Sequence, residues 1–334
     1  MKALGWKQIA LALVSFGAIA LALIAIGAMP LDVLAELIRG SMGTKNAWNE
    51  TLKQTTPLLI AGLAVFIALR AGLFNIGAEG QILVGALSAT AVALNLAGVP
   101  GTLLAIAAGI AAGALWALPA GLIKAYRNGH EVITTIMLNS IAGALAVGLV
   151  SGPLRDPAGI GNSTATVHES TWLPALYSDP PLRLSPVLPI ALVLVGIAAF
   201  WIKRTVAGYE LSATGANAKA AAIAGIQTKR VTVRAMTISG ALSGLAGAFQ
   251  VLAYEHNFFV GFSSGFGFDA LGVALLAGNS PWGVLPSGLL FGALNKGTSS
   301  LQALGVPKGL SGILLAALII VFAAYRYKKV KSHV

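Results

Sequence analysis

A twelve-residue stretch that interrupts an otherwise apolar part of the chain is the feature that most constrains its fold. The stretch is Arg-Ala-Gly-Leu-Phe-Asn-Ile-Gly-Ala-Glu-Gly-Gln at positions 70–81, between the apolar runs 57–69 and 82–96. Backbone that leaves a helix inside a membrane must line a cavity or be buried in protein, because lipid offers it no hydrogen bonds. The stretch therefore predicts either a broken membrane helix at a cavity or a short cytoplasmic loop in which Arg70 is a surface anchor.

The composition indicates a polytopic membrane protein. Of the 334 residues, 57% are hydrophobic and 10% are charged, and the mean hydropathy is +0.83. A soluble domain carries roughly 25% charged residues. The net charge of +11 has no accompanying nucleic-acid motif, and the absence of cysteine excludes disulfides and thiol chemistry.

Apolar runs predict an all-α fold of about ten transmembrane helices, some of them short or broken. A hydrocarbon layer of about 30 Å needs roughly 20 residues of helix, and two pairs of runs fall short of this length. Such Gly-interrupted pairs in both halves hint at an inverted repeat. The predicted spans are 9–29, 57–69, 82–96, 102–123, 132–150, 186–202, 235–254, 266–278, 283–294 and 309–325.

The distribution of positive residues predicts that both termini are cytoplasmic. With this topology 15 Lys and Arg residues lie inside and seven outside, as the positive-inside rule requires. We interpret 1–334 as a single transmembrane domain. Its external segments are 30–56, with an amphipathic helix, and 151–184, and its cytoplasmic segment is 203–231.

A stripe of small residues in the fourth span predicts close helix packing. Small residues recur there every four positions, which lets a neighbouring backbone approach. The stripe consists of Ala105, Gly109, Gly113, Ala117 and Gly121.

The cytoplasmic segment predicts a short exposed helix at 218–224. Asn217 is a good N-cap, the following residues are strong helix formers, and Gly225 suits the C′ position. Such a helix either inserts into a groove on a cytoplasmic partner or simply connects two spans.

Three motifs together resemble the permease subunits of bacterial ABC importers, over nearly the whole chain. They are Leu-Phe-Asn-Ile-Gly-Ala-Glu-Gly-Gln at 73–81, Ala-Thr-Gly-Ala-Asn-Ala-Lys-Ala-Ala-Ala-Ile-Ala-Gly-Ile at 213–226 and Ser-Gly-Ala-Leu-Ser-Gly-Leu-Ala-Gly at 239–247. This family includes ribose, branched-chain amino-acid and nucleoside permeases. The form of the first motif and the long external segments look most like the nucleoside and simple-sugar branch.

The resemblance implies a solute pathway in the plasma membrane of a bacterium and a set of partners. These are a cytoplasmic ATPase that binds ATP and magnesium, a second permease (a paralogue or another copy) and an external binding protein. The segment 208–226 then corresponds to the coupling helix that docks on the ATPase. The coupling candidates are Glu210, Gly215, Asn217, Ala220, Ala221 and Gly225. We expect Gly215→Trp or a charge at Ala221 to uncouple the ATPase without loss of folding.

Polar and aromatic residues in or beside spans are the candidates for the solute pathway. Glu79 and Asp269 are ionisable groups at membrane depth, which usually face a cavity or a partner. For Glu79 we favour structural support of the broken helix over direct solute contact, with an interfacial carboxylate in water as the alternative. Asn139 and Gln250 either bind solute or join helices. The full candidate set is Phe74, Asn75, Glu79, Gln81, Asn139, Gln250, Phe268 and Asp269.

The sequence offers no enzyme site. It contains no GxxxxGK[ST] pattern for ATP, its four histidines lack metal-ligand spacing, and we expect no cofactor or metal in this chain. The competing hypothesis is a secondary transporter driven by H⁺ or Na⁺, for which only Glu79 and Asp269 are available. A structural membrane protein is disfavoured because it has no need of two broken spans.

Overall fold

The computed structural model describes residues 29–302 apart from 160, 181 and 264, together with Gly17 and Ile24. Most of the predicted first span, and all of the predicted last span at 309–325, lie outside the described residues. Statements about structure below refer to the described part of the chain.

The described part contains eleven α-helices, as the sequence predicts for an all-α membrane protein. A π-helical turn, Val251–Glu255, extends the ninth helix, and short 3₁₀ turns lie at Glu169–Thr171 and Pro281–Gly283. The helices are α1 Pro30–Met42, α2 Lys45–Arg70, α3 Ala78–Asn95, α4 Gly98–Arg127, α5 Glu131–Ser151, α6 Val187–Arg204, α7 Val206–Ala216, α8 Ala218–Ile223, α9 Thr228–Gln250, α10 Phe266–Ala277 and α11 Val284–Leu301.

Five of these helices are long and apolar enough to cross a membrane. They are α2, α4, α5, α6 and α9 with its π-helical extension. An all-α, polytopic architecture is therefore confirmed, whereas ten spans and two cytoplasmic termini stay predictions. The second pair of short runs forms α10, of 12 residues, and α11, of 18 residues. At 1.5 Å per residue α10 is about 18 Å long, which is too short to cross the hydrocarbon by itself.

The predicted external segments contain more regular structure than expected. Within 30–56, α1 is the predicted amphipathic helix, with exposed Leu31, Leu34 and Ile38. Helix α2 already begins at Lys45 and continues through Pro57, so the helix that contains the predicted span 57–69 starts before that span. Proline is tolerated in membrane helices because neighbouring groups satisfy the freed backbone. Within 151–184, Tyr177–Asp179 and Leu182–Leu184 pair as two short strands.

The chain divides into two compact units. The larger unit is Thr56–Tyr177 with Leu184–Gly288, and it contains the interrupted stretch. The smaller unit is described for α1, the start of α2, residues 178–183 except 181, and the end of α11. In the smaller unit the Thr51 hydroxyl donates to the Ser41 carbonyl at 2.7 Å.

Glycine contacts bring α3, α4 and α9 together in the core of the larger unit. The five residues of the predicted stripe on α4 are all buried. A Cβ built on Gly109 would lie 2.7 Å from the Cβ of Ala248, and one built on Gly113 would lie 2.7 Å from the Cα of Gly244. A Cβ on Gly85 of α3 would also overlap the Gly244 backbone. The small residues therefore permit backbone contact among three helices, as the stripe predicts.

Gly244→Val should destabilise the protein markedly, because its side chain would overlap the carbonyl oxygen of Gly109. Overpacking of a dense core costs about 1–3 kcal/mol or more. The matched control is Gly148→Val, since a Cβ at Gly148 meets no atom of the described chain within 4 Å. Thermal unfolding in detergent should show a lower midpoint for Gly244→Val than for the control, and equal midpoints would contradict this packing.

Candidate functional site

The interrupted stretch begins with a glycine-dependent helix end. The Leu73 amide donates to the Ala68 carbonyl and the Gly72 amide to the Leu69 carbonyl, each at 3.0 Å. Gly72 has a φ of +77°. This arrangement is a Schellman motif, in which glycine at C′ lets the chain satisfy the last carbonyls of a helix. Helix α2 therefore ends in a defined turn, and α3 begins only at Ala78.

A buried polar network holds the residues between the two helices. The Asn75 side-chain amide donates to Gln81 Oε1 at 2.9 Å and to Ser239 Oγ at 2.8 Å. The Gln81 amide donates back to Asn75 Oδ1 at 3.1 Å. All three side chains are almost completely buried. An unpaired polar group that is buried in this way costs about 1–3 kcal/mol. The network therefore fixes the conformation of the break, residues 71–77 between α2 and α3.

Asn139 of α5 forms two hydrogen bonds with backbone groups at the same break. Its amide donates to the Ile76 carbonyl at 2.9 Å, and its Oδ1 accepts from the Gly80 amide at 2.9 Å. Gly80 lies in the first turn of α3, where backbone N–H groups have no partner within the helix. Asn139 thus joins helices, which is the second of its two predicted roles.

Glu79 links the break to the second Gly-rich region. Its Oε1 accepts from the Gly265 amide at 3.2 Å, and its Oε2 accepts from the Gly267 amide at 2.7 Å. These amides lie at the N-terminus of α10, where a negative charge is favourable. Gly267 packs directly on the Glu79 backbone, where a Cβ would overlap it. The contacts agree with the structural role favoured for Glu79.

The remaining pathway candidates are dispersed. Phe74 and Phe268 are exposed, and Asp269 lies half-buried in the first turn of α10. Gln250 is buried at the end of α9, where its amide donates to Glu255 Oε1 at 3.3 Å. The structure therefore brings together Asn75 with Gln81, and Glu79 with α10, whereas the hydrogen bond given by Gln250 among the described residues goes to Glu255.

Sequence reasoning missed the partners supplied by distant parts of the chain. Ser239, Gly265 and Gly267 complete the hydrogen bonds described above. Ser239 is the first residue of the 239–247 motif, and the two glycines lie in the second Gly-rich region. These patterns mark the regions, but no local signal says which amide or hydroxyl meets which side chain.

Part of the segment 203–231, which is predicted to be cytoplasmic, packs directly against the break. Arg70 Nη2 donates to Ser212 Oγ of α7 at 3.0 Å. A Cβ on Gly215 would overlap the Arg70 carbonyl, and one on Gly72 would lie 3.3 Å from the Gly215 Cα. Arg70 therefore joins the end of α2 to α7.

The predicted short helix is present as α8. Asn217 Oδ1 accepts from the Ala220 amide at 3.1 Å, and Gly225 has a φ of +87°, so both predicted caps are confirmed. Asn217, Ala220 and Gly225 are exposed, Glu210 is half-buried, and Ala221 is buried. Ile223 is 89% exposed, a residue that sequence reasoning did not select.

Two proposed test substitutions need correction. A charge at Ala221 would be buried within the chain, and any side chain at Gly215 would overlap Arg70. Neither change would leave the fold intact, so the expectation of uncoupling without loss of folding was wrong.

Glu79→Ala should destabilise the larger unit by about 1–3 kcal/mol, because two amides at the start of α10 lose their acceptor. Glu79→Gln keeps one acceptor oxygen and should lose less. Glu169→Ala, which removes an exposed glutamate, is the matched control. Thermal unfolding in detergent gives the midpoint of each variant, which should be lowest for Glu79→Ala. A Glu79→Ala protein as stable as the control would refute the capping role.

Comparisons with known proteins match the chain to a family of transport permeases. The family described as branched-chain amino acid transport system / permease component matches residues 48–323. The guanosine ABC transporter permease protein NupP of Bacillus subtilis is 38% identical over 83% of this chain and 81% of its own. The nucleoside ABC transporter permease protein NupB of Lactococcus lactis is 32% identical over 86% of this chain and 82% of its own.

Sugar permeases are also among the relatives. The glucose ABC transporter permease protein TsgB13 of Haloferax volcanii is 34% identical over 81% of this chain and 74% of its own. No solved structure matches the chain significantly.

Proposed function

We propose that this chain imports nucleosides or related simple sugars as the permease subunit of an ABC transporter. The chain belongs to the family of branched-chain amino acid transport permease components. The solute class follows the names of relatives that are guanosine, nucleoside and glucose permeases. The chain forms the solute path across the plasma membrane of a bacterium, and a separate cytoplasmic subunit binds and hydrolyses ATP with magnesium. A second permease and an external binding protein complete the importer.

The attachment of α7 to the break is the observation that carries the proposal. The Arg70–Ser212 hydrogen bond and the packing of Gly215 on Arg70 join a partly exposed pair of short helices to the half-buried end of α2. A force applied to α7 and α8 therefore reaches the break directly. This is the mechanical link that an importer driven from the cytoplasm requires.

The mechanism follows from this link. The ATPase docks on the exposed surface of α7 and α8, and its cycle displaces these helices. The displacement moves the Schellman turn at Gly72 and the Asn75–Gln81–Ser239 network, which alternates access to the path between two permease subunits. Helix α5 exposes apolar residues, among them Ile133, Met137 and Ile141. These residues would face lipid or the second permease.

The proposed topology keeps both termini in the cytoplasm, in agreement with the 15 to seven distribution of positive residues. It also keeps α7 and α8 on the cytoplasmic side, and the strand pair at 177–184 outside. Ten membrane crossings remain the proposal, in which α10, too short to cross the hydrocarbon by itself, forms the eighth crossing together with the residues that flank it.

The contacts of Glu79 disfavour the alternative of a transporter driven by H⁺ or Na⁺. Both oxygens of this carboxylate accept backbone hydrogen bonds from α10. Protonation would weaken both of these hydrogen bonds, so a group that bound and released a proton in each cycle would loosen the start of α10 every time. Glu79 therefore suits a fixed structural charge better than a carrier of protons.

Purification of the tagged chain from its native membranes in mild detergent tests the proposed function. We expect an ATPase subunit and a second permease to co-purify, with ATPase activity in the preparation. Recovery of the chain alone, stable and without ATPase activity, would refute the proposal.

Ile223→Asp should uncouple the ATPase without affecting the fold, because this side chain is 89% exposed on α8. When the ATPase docks, an aspartate at this position would be buried against an apolar surface, which costs several kcal/mol. Solute-stimulated ATPase activity should therefore fall at least tenfold. Leu176→Asp is the matched control, since Leu176 is 66% exposed on the predicted external side. Equal ATPase activity in the two variants would contradict docking through α8.

A further inference from the structure

A half-open cavity of about 250 Å³ adjoins Glu79 in the larger unit. Helix α3 contributes Glu79 and Leu83, α5 contributes Gly143 and Val147, and the segment 258–263 lines the remaining side. Ligand sites that enclose drug-sized molecules measure roughly 300–1,000 Å³, so this cavity suits a single ring system.

The polar groups of the cavity are concentrated in Glu79 and Ser263. Ser263 is 1% exposed, and its hydroxyl has no hydrogen-bond partner among the described residues. Buried hydroxyls are nearly always paired, so an unpaired one beside a cavity points to a missing partner. Each Glu79 oxygen accepts one backbone hydrogen bond and keeps a lone pair for another donor.

The rest of the cavity wall is apolar and aromatic. Phe258 and Phe259 both line it, and their rings are held by Phe262. The Phe258 and Phe262 rings stack at 4.8 Å between centroids, and Phe259 meets Phe262 edge-on at 5.6 Å. A sugar carries a hydroxyl on most of its ring carbons, and a lining whose polar side chains are Glu79 and Ser263 would leave many of these hydroxyls unpaired. A flat aromatic ring with donors along one edge fits both parts of the lining.

We propose that this cavity holds the nucleobase of the solute during its passage through the permease. The inference rests on the proposed function and names, within it, nucleosides rather than simple sugars. The Glu79 carboxylate accepts N–H groups from the edge of the base, and the Ser263 hydroxyl bonds a neighbouring polar atom of the same edge. The base packs against the Phe258 and Phe259 side of the wall.

Two glycines of α5 provide a matched pair for the test. A Cβ on Gly143 or on Gly148 meets no atom of the described chain within 4 Å, but only Gly143 lines this cavity. The chain contains no cysteine, so Gly143→Cys and Gly148→Cys each introduce a single thiol. Both variants are prepared within the whole importer and treated with a small, water-soluble thiol reagent. Labelling of this chain is then measured with guanosine, with uridine, with ribose and without solute.

We expect a saturating nucleoside to slow labelling of Gly143→Cys at least threefold, ribose to have no effect, and Gly148→Cys to be unaffected by either solute. Adding Ser263→Ala to Gly143→Cys should raise the nucleoside concentration for half protection about three- to tenfold, the loss of one hydrogen bond. Absence of nucleoside protection at Gly143→Cys, equal protection by ribose, or equal protection at Gly148→Cys would overturn the proposal.

Uptake by the importer gives a second, independent measurement. Gly143→Leu places a side chain in the cavity and should reduce nucleoside uptake at least tenfold, whereas Gly148→Leu should retain it at equal abundance of the two proteins. If the Gly143→Leu protein does not accumulate in the membrane, the thiol-labelling experiment alone tests the inference. An importer that takes up nucleosides normally with Gly143→Leu, or takes up only sugars, would overturn this inference and leave the proposed function standing. An importer without ATP-dependent uptake would overturn both.

Discussion

Backbone that leaves a helix within a membrane protein must find its hydrogen bonds inside the protein, and this requirement organises the larger unit. Between α2 and α3 the backbone finds these bonds in a Schellman turn at Gly72 and in the side chain of Asn139, which bonds the Ile76 carbonyl and the Gly80 amide. The side chains of Asn75 and Gln81 pair with each other in the same region. At the start of α10 the Glu79 carboxylate accepts hydrogen bonds from two backbone amides. Two interrupted regions far apart in the sequence are thereby fixed against each other.

Close helix packing makes these polar contacts possible. Gly85, Gly113 and Gly244 remove side chains where α3, α4 and α9 meet, so that Ser239 of α9 comes within 2.8 Å of Asn75. Gly215 removes a side chain in the same way, which brings α7 onto Arg70. The glycines thus connect a partly exposed pair of short helices to the break, and this is the connection through which we propose that the ATPase acts.

Local chemistry in the sequence predicted much of this arrangement. The break at 70–81, the packing stripe on α4, and the caps Asn217 and Gly225 each follow from residues that are neighbours in the chain or one helical turn apart. The role favoured for Glu79, as support for the broken helix, also agrees with its contacts.

Contacts between distant residues were beyond such reasoning. Gly265 is 186 residues from Glu79, and nothing near either residue specifies the other. Helix α2 passes through Pro57, where a local rule places a boundary, because tertiary surroundings decide whether a membrane helix continues. Ala221 resembles its exposed neighbours in sequence, and only packing distinguishes it as buried.

Solute uptake into proteoliposomes that contain the purified importer is the most direct test of the central claim, that this chain forms a path driven by ATP. The account predicts that labelled nucleoside or sugar, delivered by the external binding protein, accumulates only when ATP and magnesium reach the ATPase. Accumulation should persist when proton and sodium gradients are collapsed. Uptake that follows an ion gradient without ATP would contradict the account and establish a secondary transporter instead.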